Sequence, residues 1–272
     1  MSALSPQTVL ITGAGRGIGK RLALGFAKNG ARVGLLGRSA GEISVTKLEI
    51  EDSGGAALRI LADVRDFERL CAAVEGMAAH FQKPLDVLVA NAGVQGPIGP
   101  FHTIHPSEWQ DVFQTNLLGT LNSVRAVLPG MVARRKGKII LIAGGGASNP
   151  RPNFACYAAT KAALARFAES VAEEVREHNV QINCVAPGGA YTSMTDEILS
   201  AGDRAGTREM EDAHKVRSTG GAPAEKQIGL VSFLASDRSN HITGKLIHVH
   251  DDWKKLENSN MREEAYTLRR QK

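Results

Sequence analysis

Cysteine is scarce in this chain. Cys71, Cys156 and Cys184 are the only three in 272 residues, an odd and widely spaced set. That excludes the disulfide framework on which small secreted domains rely, and free thiols in a reducing compartment are expected. Aromatic residues make up only 5% of the chain, and no apolar run approaches the ~18 residues of a membrane span. No basic stretch followed by an apolar one opens the sequence, which starts Met1-Ser2-Ala3-Leu4-Ser5-Pro6-Gln7. A signal peptide is therefore not read there, and a cytoplasmic location is expected. Neither charge sign dominates, with 33 Lys+Arg against 28 Asp+Glu and a net charge of +5. The densest basic run, Arg134-Arg135-Lys136-Gly137-Lys138, precedes an apolar strand and reads as a solvated loop. It is not the one-sided basic face of a nucleic-acid binder. Repeats, low-complexity stretches and linkers are also missing, so residues 1–272 are read as one domain, which a chain with 43% apolar residues has enough core to sustain.

What is present is an alternation of short apolar strands with helical patterns, the signature of a doubly wound parallel α/β sheet in three layers. Strands are expected at Thr8 to Thr12, Ala31 to Leu36, Ala56 to Leu61, Leu85 to Ala90, Lys138 to Ala143, Val180 to Val185 and Lys245 to Val249. The first helix carries Ile18, Leu22, Gly25 and Phe26 on one face and stops at Asn29-Gly30. Phe67, Leu70, Cys71, Val74 and Phe81 give the helix after the third strand, with Cys71 as a core residue. A long helix is expected from about Pro106 to near Pro129, and others from Cys156 to His178 and from Ala224 to Ala235. Between Tyr191 and Gly221 the pattern weakens into a polar stretch containing Gly202, Gly206 and Gly220-Gly221. A long irregular excursion there, after the sixth strand's carboxyl end, suits a lid about 191–221. A polar tail about 254–272 is expected to order against a neighbouring subunit.

The string Thr12-Gly13-Ala14-Gly15-Arg16-Gly17-Ile18-Gly19 follows a strand and opens a helix. In that context glycines allow a sharp turn and close approach of the backbone to a pyrophosphate, which the helix N-terminus attracts. Its Thr-Gly-x-x-x-Gly-x-Gly spacing resembles the fingerprint of the short-chain dehydrogenase/reductase family. An acidic residue at the end of the second strand would hold a ribose 2′-hydroxyl and signal NAD. The strand instead ends Leu36-Gly37-Arg38-Ser39. Arg38, with Arg16 from the glycine loop, is placed to meet a 2′-phosphate, and in the resembling family such basic positions go with NADP(H). The resemblance continues through nearly the whole chain, from about residue 7 to about 250. It implies that Asp63-Val64 meets the adenine, that Asn91-Ala92-Gly93 supports the sheet and the adenosine side, and that Pro187-Gly188 with Thr192 holds the nicotinamide carboxamide.

Tyr157-Ala158-Ala159-Thr160-Lys161 matches the family's Tyr-x-x-x-Lys motif, and i, i+4 spacing puts both side chains on one helix face. A tyrosine with a free pKa of about 10 exchanges protons poorly at neutral pH, and a nearby ammonium favours its phenolate. Such a tyrosine can pass a proton to or from a substrate oxygen while hydride moves at the nicotinamide. The resemblance further implies that Lys161 binds the nicotinamide ribose and that Asn116 holds a relay water.

One element departs from the family pattern. The serine that normally stands thirteen residues before the tyrosine is Gly144 here, within Ala143-Gly144-Gly145-Gly146-Ala147-Ser148. Losing a donor to the reacting oxygen typically costs ~10²–10³ in rate. A substitute donor is sought in Ser148, Asn149 or a backbone N–H of the glycine run; a substrate with its own hydroxyl or carboxylate would need less help. The expected function is an oxidoreductase moving hydride between NADP(H) and a carbonyl or alcohol of a small, polar substrate. The alternatives are an epimerase-like enzyme without net oxidation and a catalytically weak NADP(H)-binding sensor or scaffold. No nucleic acid, membrane or metal partner is expected, and the resemblance implies a homodimer or homotetramer. His248 and His250, with Asp251 and Asp252, are read as a polar strand end, and Trp253 as a subunit contact.

Overall fold

The structure, a computed structural model, describes residues 7–258 and 264–269. Seven parallel strands form one sheet: β1 (Thr8–Thr12), β2 (Arg32–Gly37), β3 (Ala56–Leu61), β4 (Val87–Ala90), β5 (Gly137–Ile142), β6 (Val180–Ala186) and β7 (Leu246–His248). Their spatial order is β3-β2-β1-β4-β5-β6-β7. β1, β4, β5 and β6 are buried along their whole length, because helices cover both faces and leave no solvent side to call for polar alternation.

Successive strand residues feed opposite faces. Val9 and Ile11 join one core with Val33, packed under α1 (Gly17–Lys28) and α9 (Ala224–Leu234) through Leu22, Phe26, Leu230 and Phe233. Leu10, Leu88, Ile139 and Ile182 join the other. There they meet α3 (Phe67–Phe81), α5 (Gly119–Arg134) and α6 (Ala155–Glu174) through Leu70, Met77, Met131 and Leu164. The strand order reverses between β1 and β4, and such a switch point opens a crevice beyond the strands' carboxyl ends.

Several expectations change in three dimensions. The helix expected from Pro106 to Pro129 is three pieces. These are α4 (Pro106–Val112), a π-helical turn (Phe113–Leu118) and α5, which runs past Pro129 to Arg134. The stretch 191–221 is not irregular. It folds into α7 (Ser193–Ala201) and α8 (Thr207–Thr219), pinched at its neck by an antiparallel bridge between Ala190 and Gly221. Its weak periodicity reflects how little it buries, since Ala213 is the sole fully buried residue of α8, and tertiary contacts override a weak local signal. Cys71 is only half-buried. Trp253 stacks on Phe233 of its own chain at 5.4 Å. Residues 264–269 also dock on their own chain. Leu246 N donates to Tyr266 O at 2.7 Å, and Arg269 pairs with Glu169 of α6 at 2.6 Å. The rest of the expected tail, 259–263 and 270–272, lies outside the described residues.

Candidate active site

The crevice at the switch point encloses about 1620 Å³. That exceeds the ~300–1,000 Å³ of a drug-sized pocket and leaves space for a dinucleotide beside a second molecule. One end is built by the glycine loop. α1 starts after Arg16, whose backbone is extended; no side chain caps the helix among the described residues, and its first turn carries no acid. The first amides are thus left to an anion. At Gly19 a β-carbon would fall 2.1 Å from the Gly13 carbonyl oxygen, so only glycine lets helix and loop approach this closely. Asn91 locks the loop to β4, its Nδ2 donating to the carbonyls of Thr12 at 3.0 Å and Gly13 at 3.2 Å. Ala92 N donates to Thr12 Oγ1 at 3.0 Å.

Arg38, Asp63 and Val64 line the same end. Burial raises the Asp63 carboxyl, but hydrogen bonds and charge from Arg65, with Arg38 adding to them, outweigh it and hold the group below the ordinary carboxylate range. Arg65 grips Asp63 through Nε at 3.0 Å and Nη2 at 2.7 Å, whereas Arg38 stands off at 3.7 Å. Most of the Asp63 charge is therefore taken by Arg65, and Arg38 keeps its positive end toward the crevice mouth, half exposed. Arg16 is similarly loose, 3.6 Å from Glu42. Thr192 caps α7 and reaches the glycine loop: a β-carbon at Gly17 would meet its Cγ2 at 2.9 Å. Pro187 O accepts from Gln227 Nε2 at 2.9 Å, which fixes the turn into Gly188. His248 and His250 face the crevice near it, and His248 N donates to Asp251 Oδ2 at 2.7 Å in a local turn.

Tyr157 and Lys161 emerge from the first turns of α6, both buried. Lys161 Nζ donates to Ile142 O at 2.9 Å and lies 5.4 Å from the Tyr157 ring centre. Burial pulls the lysine from 10.5 down to about 8. Burial also raises the Tyr157 phenol, and the charge of Arg151 opposes that rise. In this crevice burial outweighs the charge of Arg151, so the phenol stands above its ordinary value. Asn116 is fully buried in the π-helical turn and its amide is committed to Val94. Its Oδ1 accepts from Val94 N at 2.8 Å and its Nδ2 donates to Val94 O at 2.9 Å.

The glycine run passes over the phenol. Gly144 has φ +143°, and a β-carbon there would lie 3.2 Å from Tyr157 Oη. Both facts set the backbone against a side chain at this position. Ser148 and Asn149 line the crevice but are exposed and bonded to each other at 3.1 Å. From outside its helix Arg151 reaches Tyr157, with its carbon Cζ 5.3 Å from the ring centre. Arg151 and its partner Glu209 carry no expectation from sequence. They are 58 positions apart and share no motif, and only the tertiary fold brings α8 to the loop before α6.

The family model for short chain dehydrogenases matches residues 7–202. Gluconate 5-dehydrogenase of Gluconobacter oxydans is 33% identical over 251 residues, 91% of this chain and 94% of that protein. The 3-oxoacyl-acyl-carrier-protein reductase of Staphylococcus aureus is 32% identical over 245 residues, 90% of this chain and 96% of that protein. Among solved structures, a gluconate 5-dehydrogenase from Burkholderia cenocepacia in complex with NADP and tartrate superposes with a TM-score of 0.79. It is 30% identical, over 90% of this chain and 94% of that one.

Proposed function

The chain belongs to the short chain dehydrogenase family, and from that premise we propose that it moves a hydride between NADP(H) and the carbonyl or secondary alcohol of a small, polar substrate. The single observation that carries the cofactor choice is the end of β2. It offers Arg38 and no carboxylate, and the nearest acid, Asp63, is already held by Arg65. A 2′-phosphate is matched by the guanidinium there, whereas a bare 2′-hydroxyl lacks its acidic acceptor. The pyrophosphate belongs over the amides of Gly17, Ile18 and Gly19, Lys161 at the nicotinamide ribose, and Thr192 with the Pro187-Gly188 turn at the carboxamide. The bound dinucleotide supplies or accepts the hydride. Tyr157 Oη holds the proton that the substrate oxygen gains or gives up, and α7 and α8 pack on it through Ile198, Ala201 and Ala213, which keeps water from the phenol.

The substrate reading draws on the crevice wall and on the relatives. Beyond Tyr157 the wall is polar, with Ser148, Asn149, Arg151 and Asn153. The relatives are named for a sugar acid and for an acyl-carrier-protein ketone, so carbonyl–alcohol interconversion is what they share. Calorimetric titration with NADPH and NADH tests the cofactor. NADPH is expected to bind the tighter, and Arg38→Ala to weaken it about 10–100-fold, the worth of one charge-assisted contact, with NADH little changed. Equal affinity for both dinucleotides overturns the NADP(H) reading. Tight binding without turnover of any carbonyl or alcohol leaves the sensor reading in its place.

A further inference from the structure

We propose that Arg151 is a positioning residue for Tyr157, its guanidinium held over the phenol by Glu209, so that α8 sets the charge felt by the acid–base group. The geometry is that of a fixed cation. Arg151 is nearly buried, 14% exposed, and Glu209 20%. The two form a bidentate pair, Nε to Oε1 at 2.9 Å and Nη2 to Oε2 at 2.7 Å, the arrangement that fixes a guanidinium in plane as well as in place. Its flat face lies 4.0 Å above the ring of Phe154, itself fully buried at the start of α6, and 5.3 Å from that of Tyr157. Arg151 also closes on the glycine run, since a β-carbon at Gly145 would meet its Nε at 3.8 Å, while one at Gly144 would meet Tyr157 Oη at 3.2 Å. Gly144 brings no side chain to the phenol, and Arg151 lines the same crevice as Tyr157.

The proposal rests on Tyr157 being the acid–base residue, but it concerns the ionisation of that phenol and needs no substrate. The charged groups that line the crevice with Tyr157 are Lys161 on its own helix, Arg151 on the preceding loop, Glu209, Arg208, Asp212 and Lys215 of α8, His248, His250 and Asp251 beyond β7, and Arg16, Arg38, Glu42 and Asp63 at the glycine-loop end. All but Arg151 and Glu209 are common to all the variants below and cancel in their comparison. A cation near the ring favours phenolate, and Glu209 offsets part of it. Removing the guanidinium leaves the Glu209 carboxylate unbalanced and moves the phenol up. Removing the carboxylate charge leaves the guanidinium unopposed and moves it down. A bridge that served only to fasten α8 would respond to both substitutions in the same direction, because either one breaks it.

The experiment is an ultraviolet tyrosinate titration of the full chain, which has three tyrosines. Each variant is read against its own Tyr157→Phe counterpart, with circular dichroism followed over the same pH range. A unit charge roughly 5 Å from the phenolate is worth about two pH units at an effective dielectric of about 20, and the opposite charge of the partner cancels part of that. The expected shifts are about one unit up for Arg151→Gln and about half a unit to one unit down for Glu209→Gln. Arg151→Lys should fall between wild type and Arg151→Gln, and the double variant Arg151→Gln/Glu209→Gln should return near wild type. Shifts of one sign in both single variants, or none in either, overturn the proposal. If Arg151→Gln does not fold, Arg151→Lys and Glu209→Gln still carry the sign test. Unchanged turnover in Tyr157→Phe would instead overturn the acid–base role of the tyrosine while leaving the electrostatic result standing.

Discussion

A serine placed at position 144 should harm this protein. At Gly144→Ser two costs add. The backbone sits at φ +143°, a region L-residues rarely enter, which costs of order 1–3 kcal/mol. The new β-carbon would also come within 3.2 Å of Tyr157 Oη, tighter than ordinary contact, so the phenol or the loop must give way. Unfolding entropy of about 2.1 cal/mol/K per residue gives a chain of 272 residues about 0.57 kcal/mol/K at its melting temperature. The strain alone then lowers Tm by about 2–5 °C. The assay is scanning calorimetry of wild type and variant at one pH, paired with steady-state turnover of a ketone by NADPH. The expected result is a lower Tm and a kcat no better than wild type, because the serine's hydroxyl arrives at the expense of the tyrosine's position. An unchanged Tm together with a tenfold or greater rise in kcat would falsify the reasoning. It would mean that the loop relaxes freely and that Gly144 reflects a simple loss of the donor.

Three further outcomes follow from the same geometry. Tyr157→Phe should lower kcat by about 10²–10⁴, the usual worth of a positioned acid or base, while calorimetry finds NADPH affinity within a few-fold of wild type; unchanged kcat sinks the assignment. Lys138, buried in β5 with Nζ donating to Asn240 Oδ1 at 2.7 Å, is pulled by burial from 10.5 to about 8. Between those values the unfolded chain binds more protons than the folded one, so stability rises with pH across that window, an effect shared with Lys161. Lys138→Met should flatten the rise of Tm from pH 8 to pH 10 and gain most relative to wild type near neutrality; an identical slope by circular dichroism melts refutes it. Leu22→Ala opens a void under β1 where Leu22 is fully buried and should cost roughly 2–5 kcal/mol in urea unfolding, a loss below 1 kcal/mol showing that α1 repacks onto the sheet.

The sequence by itself determined the sheet. Runs such as Val9-Leu10-Ile11 and Ile139-Ile140-Leu141 are apolar at every position, which only a strand covered on both faces can satisfy, and the strand ends fall within about two residues of expectation. It also placed the glycine loop, because a Gly-rich turn between an apolar strand and a helix is a local chemical requirement, and it marked Tyr157 and Lys161, whose i, i+4 spacing is set by helix geometry alone. What depends on distant partners stayed out of reach. The 191–221 stretch reads as irregular because α8 buries little of itself, and the ion pair that ties it to the rest of the fold, Arg151 with Glu209, is one that no local window contains. The packing of Trp253 and of residues 264–269 on their own chain was likewise hidden, because Phe233, Glu169 and Leu246 lie far back in the chain.

The environment of the tyrosine is the clearest case. The motif implies a phenol lowered by its lysine, yet pKa is a property of burial and of every charge within reach. Only the tertiary structure shows that burial prevails and that the lysine's ammonium is turned to Ile142 O. Gly144 reads in the sequence as a lost hydroxyl. In the folded chain it also carries φ +143° and a 3.2 Å approach to Tyr157 Oη, both of which oppose a side chain, beside an arginine that the fold, and not the motif, brings to the tyrosine.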